Sequence, residues 1–226
     1  MNAAQETVAV FDIDGTLVDT NYQHAIAWYR AFRAKEIVVP IWRIHRAIGM
    51  GSDRIVSSLL DEQVEHDLGD ALRDLEKSEY QRLIDEVEPM DGAHELLAEL
   101  KGKGHPIILA SSAEQADAER YIELLGASEF VDAYTTSADV RESKPEPDIV
   151  NAAIEKAGGG SAVMVGDSSW DCKAATRANV PSIAVLTGGF SEQELIDAGA
   201  TVVFESVEHL RLHLHDTTLS ETVAQP

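Results

Sequence analysis

Asp12 and Asp14 stand two residues apart, directly after the apolar, β-branched run Thr7-Val8-Ala9-Val10-Phe11. That run reads as a buried strand, and side chains two apart on an extended chain point the same way. Gly15 and Thr16 follow and turn the backbone over the two acids. Carboxylates at the end of a buried strand are costly to desolvate unless they do chemistry or hold a cation. The carboxyl end of a strand in an open α/β sheet is also where ligands bind.

Three later segments add chemistry of the same kind. Pro106–Ala110 is a second strand-like run and ends in Ser111-Ser112. Lys144 stands in the loop Ser143-Lys144-Pro145-Glu146-Pro147. Ala162–Val165 is a third strand-like run and ends in Gly166-Asp167-Ser168-Ser169-Trp170-Asp171. If these strand ends meet, Asp12, Asp14, Asp167 and Asp171 converge with Lys144 to offset them. Four carboxylates at close quarters cannot all stay ionised without a cation. Oxygen ligands select a hard divalent ion, here Mg²⁺.

The ordered set Asp-x-Asp, Ser, Lys, Asp-x-x-x-Asp is far more specific than any one member. Carrying it from Val8 to about Leu210, the chain resembles the haloacid dehalogenase-like hydrolases, in particular their phosphoglycolate phosphatase and β-phosphoglucomutase branch. The resemblance implies an α/β fold, a doubly wound, Rossmann-like parallel-sheet core carrying a small all-helical cap. It implies Asp12 as the nucleophile that forms an aspartyl phosphate. Asp14 is then the general acid and later the general base, with its backbone carbonyl a metal ligand. Ser111 hydrogen-bonds a phosphoryl oxygen, and Lys144 neutralises that group and Asp12. Asp167 ligates Mg²⁺, and Asp171 acts on it through water or orients Lys144. The implied metal set is therefore Asp12, Asp14, Asp167 and Asp171. Backbone N–H groups near Ile13 and Ser112 are further phosphate contacts, with Ser112 also a helix-cap candidate.

Strands are expected at Thr7–Phe11, Pro106–Ala110, Ala162–Val165, Ser182–Leu186 and Thr201–Phe204, with a weak one near Ala133–Thr136. Helical patterns alternate with them, which implies a parallel doubly wound sheet. Ala93, Leu96, Leu97 and Leu100 keep the spacing of one buried helix face. Ser112-x-x-Gln115 and Ser191-x-x-Glu194 read as capping boxes. From about Thr20 to Glu88 the alternation stops. Helical patterns there cover Tyr22–Ala34, Ile41–Ile48, Arg54–Leu60 and a charged stretch from about Glu65 to Val87. The expected division is a catalytic core of residues 1–19 and 89–215, a helical cap of residues 20–88, and a flexible polar tail of residues 216–226. Within the cap, Gly49-Met50-Gly51-Ser52-Asp53-Arg54 forms a loop in which Gly51, Ser52 and Arg54 are candidate substrate contacts, Arg54 as an anion clamp. Asp19 is either a cap of the first cap helix or part of the site. His24, five residues later, resembles a histidine of β-phosphoglucomutases and is a hinge or structural residue. Trp28, Trp42 and Tyr80 read as cap core. His209, His213 and His215 fall in an amphipathic C-terminal segment, where packing outweighs metal binding.

The chain has 226 residues, 44% of them hydrophobic, and a formal net charge of −22. Such a charge argues against nucleic acid and anionic membrane as partners. It also repels an anionic substrate, so the site needs its own positive charge. No apolar run is long enough to span a bilayer, and Met1–Glu6 lacks the pattern of a signal peptide. The single Cys172 cannot form an internal disulfide. These features suggest a cytoplasmic protein, monomeric or homodimeric. The expected function is Mg²⁺-dependent hydrolysis of a small phosphorylated metabolite, phosphoglycolate-like or a sugar phosphate. The nearest alternative is a phosphomutase of the β-phosphoglucomutase type. A dehalogenase does not need Asp14, a phosphonate hydrolase needs a cap lysine with no supporting motif here, and a phospho-receiver lacks both the second acid and the cap.

Overall fold

The computed structural model describes residues 7–111 and 113–220. Six parallel strands form one sheet: β1 (Thr7–Phe11), β2 (Ile107–Ala110), β3 (Ala133–Thr135), β4 (Ser161–Gly166), β5 (Ser182–Val185) and β6 (Ala200–Phe204). Their order in space is β3-β2-β1-β4-β5-β6. The chain first winds outward from β1 through β2 to β3, then crosses back to wind outward through β4 to β6. The reversal falls between β1 and β4, where open α/β sheets bind their ligands.

The helices are α1 (Asn21–Ala34), α2 (Ile41–Ala47), α3 (Ser52–Leu59), α4 (Glu62–Tyr80), α5 (Ala93–Gly102), α6 (Gln115–Leu124), α7 (Asp148–Lys156), α8 (Ser169–Arg177), α9 (Glu192–Asp197) and α10 (Val207–Leu212). Val8 to Phe11 and all of β2 are buried, so both faces of the central sheet are covered. This is why the central strands read as continuous apolar runs without alternation. On one face Val8, Val10, Ile108 and Met164 pack with Ile149, Val150 and Ala153 of α7 and with Ala174 and Ala175 of α8. The short edge strand β3 is only half-buried, which leaves it a weak sequence signal.

The chain divides into two compact units, residues 1–18 with 89–226, and residues 19–88. The sheet belongs to the first. Its two crossing segments are tied together, with the Met90 N–H donating to the Leu17 carbonyl at 2.9 Å. The second unit is all helical. Trp28 and Phe32 of α1, Ile44 of α2, Ile55 and Val56 of α3 and Leu72 of α4 form its core. Asp61 caps α4 by accepting from the Val64 N–H at 2.9 Å.

Several local expectations need correction. The charged stretch expected from Glu65 to Val87 is a helix only over Glu62–Tyr80, followed by a 3₁₀ turn at Ile84–Glu86. Trp42 is 66% exposed, whereas Trp28 and Tyr80 are buried as expected. Asp19 is exposed, and Thr20 rather than Asp19 occupies the N-cap position of α1. The Ser191 capping box is present, but α6 is preceded at its N-cap by Glu114 and starts at Gln115; Ser112 lies outside the described residues. The tail expected to fray from residue 216 is ordered to Ser220. Residues Leu214–Asp216 and Thr218–Ser220 form 3₁₀ turns, and Leu219 is fully buried. The buried His105 explains the anchorage: its Nδ1 lies 2.9 Å from the Thr7 carbonyl and its Nε2 3.2 Å from that of Leu219. Residues 221–226 lie outside the described part. No described helix is long and apolar enough to cross a membrane.

Because Leu219 is fully buried, Leu219→Ala should cost about 2–5 kcal/mol of stability. Urea unfolding checks this. A variant as stable as the parent would return residues 216–220 to the status of a frayed tail.

Candidate active site

The site grows from the sheet reversal. Asp12 follows β1, and its N–H extends the ladder by donating to the Val165 carbonyl at 2.9 Å. Asp167 follows β4 and Ser111 follows β2. With Phe11 level with both Leu109 and Val165, continuing the register puts Ser111 and Asp167 at the same height, on either side of Ile13. Parallel strands of matched register therefore bring three strand ends together from positions about 55 to 155 residues apart.

Lys144, from the loop before α7, is buried and forms ion pairs with Asp12 Oδ1 and, at 2.7 Å, with Asp171 Oδ1. The other Asp171 oxygen accepts from the Ser168 N–H at 3.1 Å and the Ser168 hydroxyl at 2.5 Å. Ser168 in turn caps α8 by accepting from the Asp171 N–H at 3.3 Å. Asp171 thus has partners at both oxygens, and its geometry is that of a group orienting Lys144. Among the described residues, one oxygen each of Asp12, Asp167 and Asp171 lie within 4.8 Å of one another. The Asp14 carboxylate is half-buried and is not part of this group. Asp14 acts on the cluster through its charge, which raises the Asp12 carboxyl further.

Burial pushes the Asp12 carboxyl well above its ordinary range; Lys144 opposes this, while Asp171, Asp167 and Asp14 reinforce it. Burial draws the Lys144 ammonium down, but Asp12 and Asp171 reverse the effect and hold it above its ordinary value. Three buried carboxylates against one ammonium leave negative charge uncompensated. The donor set, all carboxylate oxygen in a small buried space, fits a hard divalent cation.

Some contributors carry no strong sequence signal. The Thr16 hydroxyl lies 3.2 Å from Asp167 Oδ1 and 3.5 Å from Asp12 Oδ2, linking the two acids. The buried Thr135 hydroxyl donates to the Ser111 carbonyl at 3.0 Å, and Ser111 Oγ accepts from the Ala113 N–H at 3.0 Å. Thr135 ends the faint strand β3, so only a correct pairing of β3 with β2 reveals it. Cys172 is buried beside the site, and burial together with the Asp171 charge pushes its thiol up to about 12. It packs as a buried, protonated thiol.

The helical unit holds the remaining candidates. Ser52 and Arg54 lie in the first turn of α3 rather than in a loop, and Gly51 is its N-cap residue. Ser52 is exposed and Arg54 half-buried. His24 stacks on Tyr80 with ring centres 3.8 Å apart and places Nδ1 3.0 Å from Glu76 Oε1. These contacts join α1 to α4, which makes His24 structural. His209 and His213 pack edge to face at 4.4 Å, and neither belongs to a metal-like group among the described residues.

Comparison with known proteins agrees with this arrangement. Residues 7–179 match the family model of the haloacid dehalogenase-like hydrolases. A phosphoglycolate phosphatase from Agrobacterium fabrum is 28% identical over 234 residues, covering 96% of this chain and 96% of that protein. The probable phosphatase IndB of Dickeya dadantii is 28% identical over 205 residues, covering 88% and 89%. Among solved structures, a hydrolase from Pseudomonas syringae superposes with a TM-score of 0.87 at 33% identity, covering 93% of this chain and 99% of that one. A protein described as a putative β-phosphoglucomutase from Bacteroides vulgatus shares the fold, with a TM-score of 0.84 at 20% identity over 99% and 93% of the two chains. With the family match spanning most of its length and an acid cluster where its sheet reverses, the chain belongs to the haloacid dehalogenase-like hydrolases.

Proposed function

We propose that the chain is a Mg²⁺-dependent phosphatase that hydrolyses a small phosphomonoester through an aspartyl phosphate on Asp12. The observation that carries this reading is the buried Asp12 carboxylate, ion-paired to Lys144 through one oxygen and grouped with Asp167 and Asp171. Full-length relatives named as phosphatases support it.

Asp12 and Asp167, with the backbone carbonyl of Asp14, are the residues assigned to hold the cation. When bound, Mg²⁺ supplies positive charge that offsets the acids and attracts a phosphate dianion. The Lys144 ammonium offsets part of the burial that disfavours the Asp12 carboxylate and adds a second positive charge for the phosphoryl group. In the first step an Asp12 oxygen attacks phosphorus, the ester P–O bond breaks, and Asp14 gives its proton to the departing alcohol oxygen. In the second, Asp14, now ionised, takes a proton from water as its oxygen attacks phosphorus, releasing inorganic phosphate and the Asp12 carboxylate. The Ser111 hydroxyl donates to a phosphoryl oxygen, while Asp171 keeps Lys144 in place. Phosphoryl transfer needs positioning and charge neutralisation above all, and these residues provide both. The substrate class is a small phosphorylated metabolite, with phosphoglycolate and sugar phosphates the first compounds to try.

A screen of phosphorylated metabolites with phosphate release as the readout tests the assignment. Conversion of β-glucose 1-phosphate to glucose 6-phosphate without free phosphate would move it to the phosphomutases. Turnover of p-nitrophenyl phosphate should vanish in excess EDTA and return with Mg²⁺; full activity in EDTA would remove the metal. Asp12→Asn should lower turnover by at least about a thousandfold while circular dichroism and Tm stay near those of the parent. A phosphate-mimicking beryllium fluoride found on Asp14 or Asp167 instead of Asp12 would reverse the roles. Asp14→Asn should slow formation and breakdown of the phosphoenzyme, each by about 10²–10⁴-fold; normal breakdown in rapid-quench experiments would deny Asp14 the base role.

A further inference from the structure

The 3₁₀ turn that follows β5, Leu186–Gly188, touches the site at two points although it carries no acid, base or phosphate ligand. The first contact is Thr187, whose hydroxyl donates to the Gly15 carbonyl at 2.6 Å, joining residues 172 apart. In the turn after Asp12, the N–H groups of Thr16, Leu17 and Val18 all donate to the Ile13 carbonyl, and the Gly15 N–H donates to Val18. The hydroxyl of Thr187 therefore restrains a carbonyl that these turn bonds do not use. That carbonyl belongs to the peptide leading into Thr16, the residue whose hydroxyl spans Asp12 and Asp167.

The second contact is Gly188. A Cβ added there would fall 2.3 Å from Asp167 Oδ2 and 2.4 Å from the Asp167 carbonyl oxygen. Its backbone lies outside the left-handed region, since no such φ is found at this glycine. Glycine is required there for space, because the turn packs directly against the carboxylate. One short segment thus restrains both acids, Asp12 through Gly15 and Thr16, and Asp167 by direct contact.

The geometry points to Thr187 and Gly188 as positioning residues that set the spacing of Asp12 and Asp167, and with it the affinity and selectivity of the site for a divalent cation. This rests on the cation-binding reading of the acid cluster. Mg²⁺ demands near-ideal octahedral oxygen ligands, while Ca²⁺ tolerates longer and irregular ones. Displacing Asp167 in any direction should therefore weaken Mg²⁺ more than Ca²⁺. A substitution that only loosened the fold would weaken both together.

The test uses the full-length protein stripped of metal, titrated calorimetrically with Mg²⁺ and separately with Ca²⁺, without substrate. Gly188→Ala should raise the Mg²⁺ Kd by about 10–100-fold, the usual effect of disturbing a group that orients a ligand, and should lower the preference for Mg²⁺ over Ca²⁺. Thr187→Val should raise the Mg²⁺ Kd by about three- to tenfold, the equivalent of one hydrogen bond, and Thr187→Ser should restore it. Tm in EDTA monitors folding; if Gly188→Ala fails to fold, the Thr187 pair decides. Folded variants that bind both ions with the parent's Kd values, or that lose both equally, would overturn the inference alone. A parent protein that binds no Mg²⁺ would overturn the cation reading, and this inference with it.

Discussion

The active-site architecture depends on one buried ammonium. Lys144 is drawn out of water into contact with Asp12 and Asp171, and neither the base nor the acids would tolerate that environment alone. The pairing explains why the loop before α7 must come down over the strand ends, and why Ser168 is spent on Asp171 instead of on a ligand. It also places the second Asp12 oxygen, the one not held by Lys144, on the side of Asp167 and Thr16. A carboxylate restrained in this way loses little freedom when it reacts.

The same pairing reconciles the site with the rest of the molecule. A surface of net charge −22 repels phosphate at a distance. Screening at physiological ionic strength limits that repulsion to about 8 Å, so the decisive charges are the local ones in the buried cluster. There the acids would dominate without Lys144 and a cation. The acidic exterior disfavours polyanions, and the buried cluster needs positive charge of its own.

Much of this was legible in the sequence because buried parallel strands are continuous apolar runs, and acids placed at their ends stand out against that background. Asp12, Ser111, Lys144, Asp167 and Asp171 could be named from such contrasts. Asp14 was legible as an acid beside Asp12, but its partial exposure depends on the turn after β1. Trp42 reads as core by type, yet the buried side of α2 is marked by Ile44 and Ala47, and a residue two positions before Ile44 faces elsewhere. Leu219 has only polar neighbours in sequence, and the contact that accompanies its burial comes from His105, 114 positions away. Thr135 and Thr187 are ordinary polar residues until strand pairing brings them to Ser111 and Gly15.

The topology also orders events during synthesis. The helical unit is one uninterrupted stretch of chain, residues 19–88, and its contacts can form as soon as it emerges from the ribosome. The strand that leads into Asp12 has to wait. Ala9 pairs with Ile107 on one side and Val163 on the other, so β1 has no neighbour until about half of the chain has been made and lacks its second until β4 follows. Translation proceeds at about 5–20 residues per second, which leaves an apolar strand ending in two acids exposed for several seconds. The acids beside it then act as gatekeepers, since charge next to an apolar strand discourages pairing with other nascent chains. The residues assigned to phosphoryl chemistry would thus protect the chain before the site they build exists.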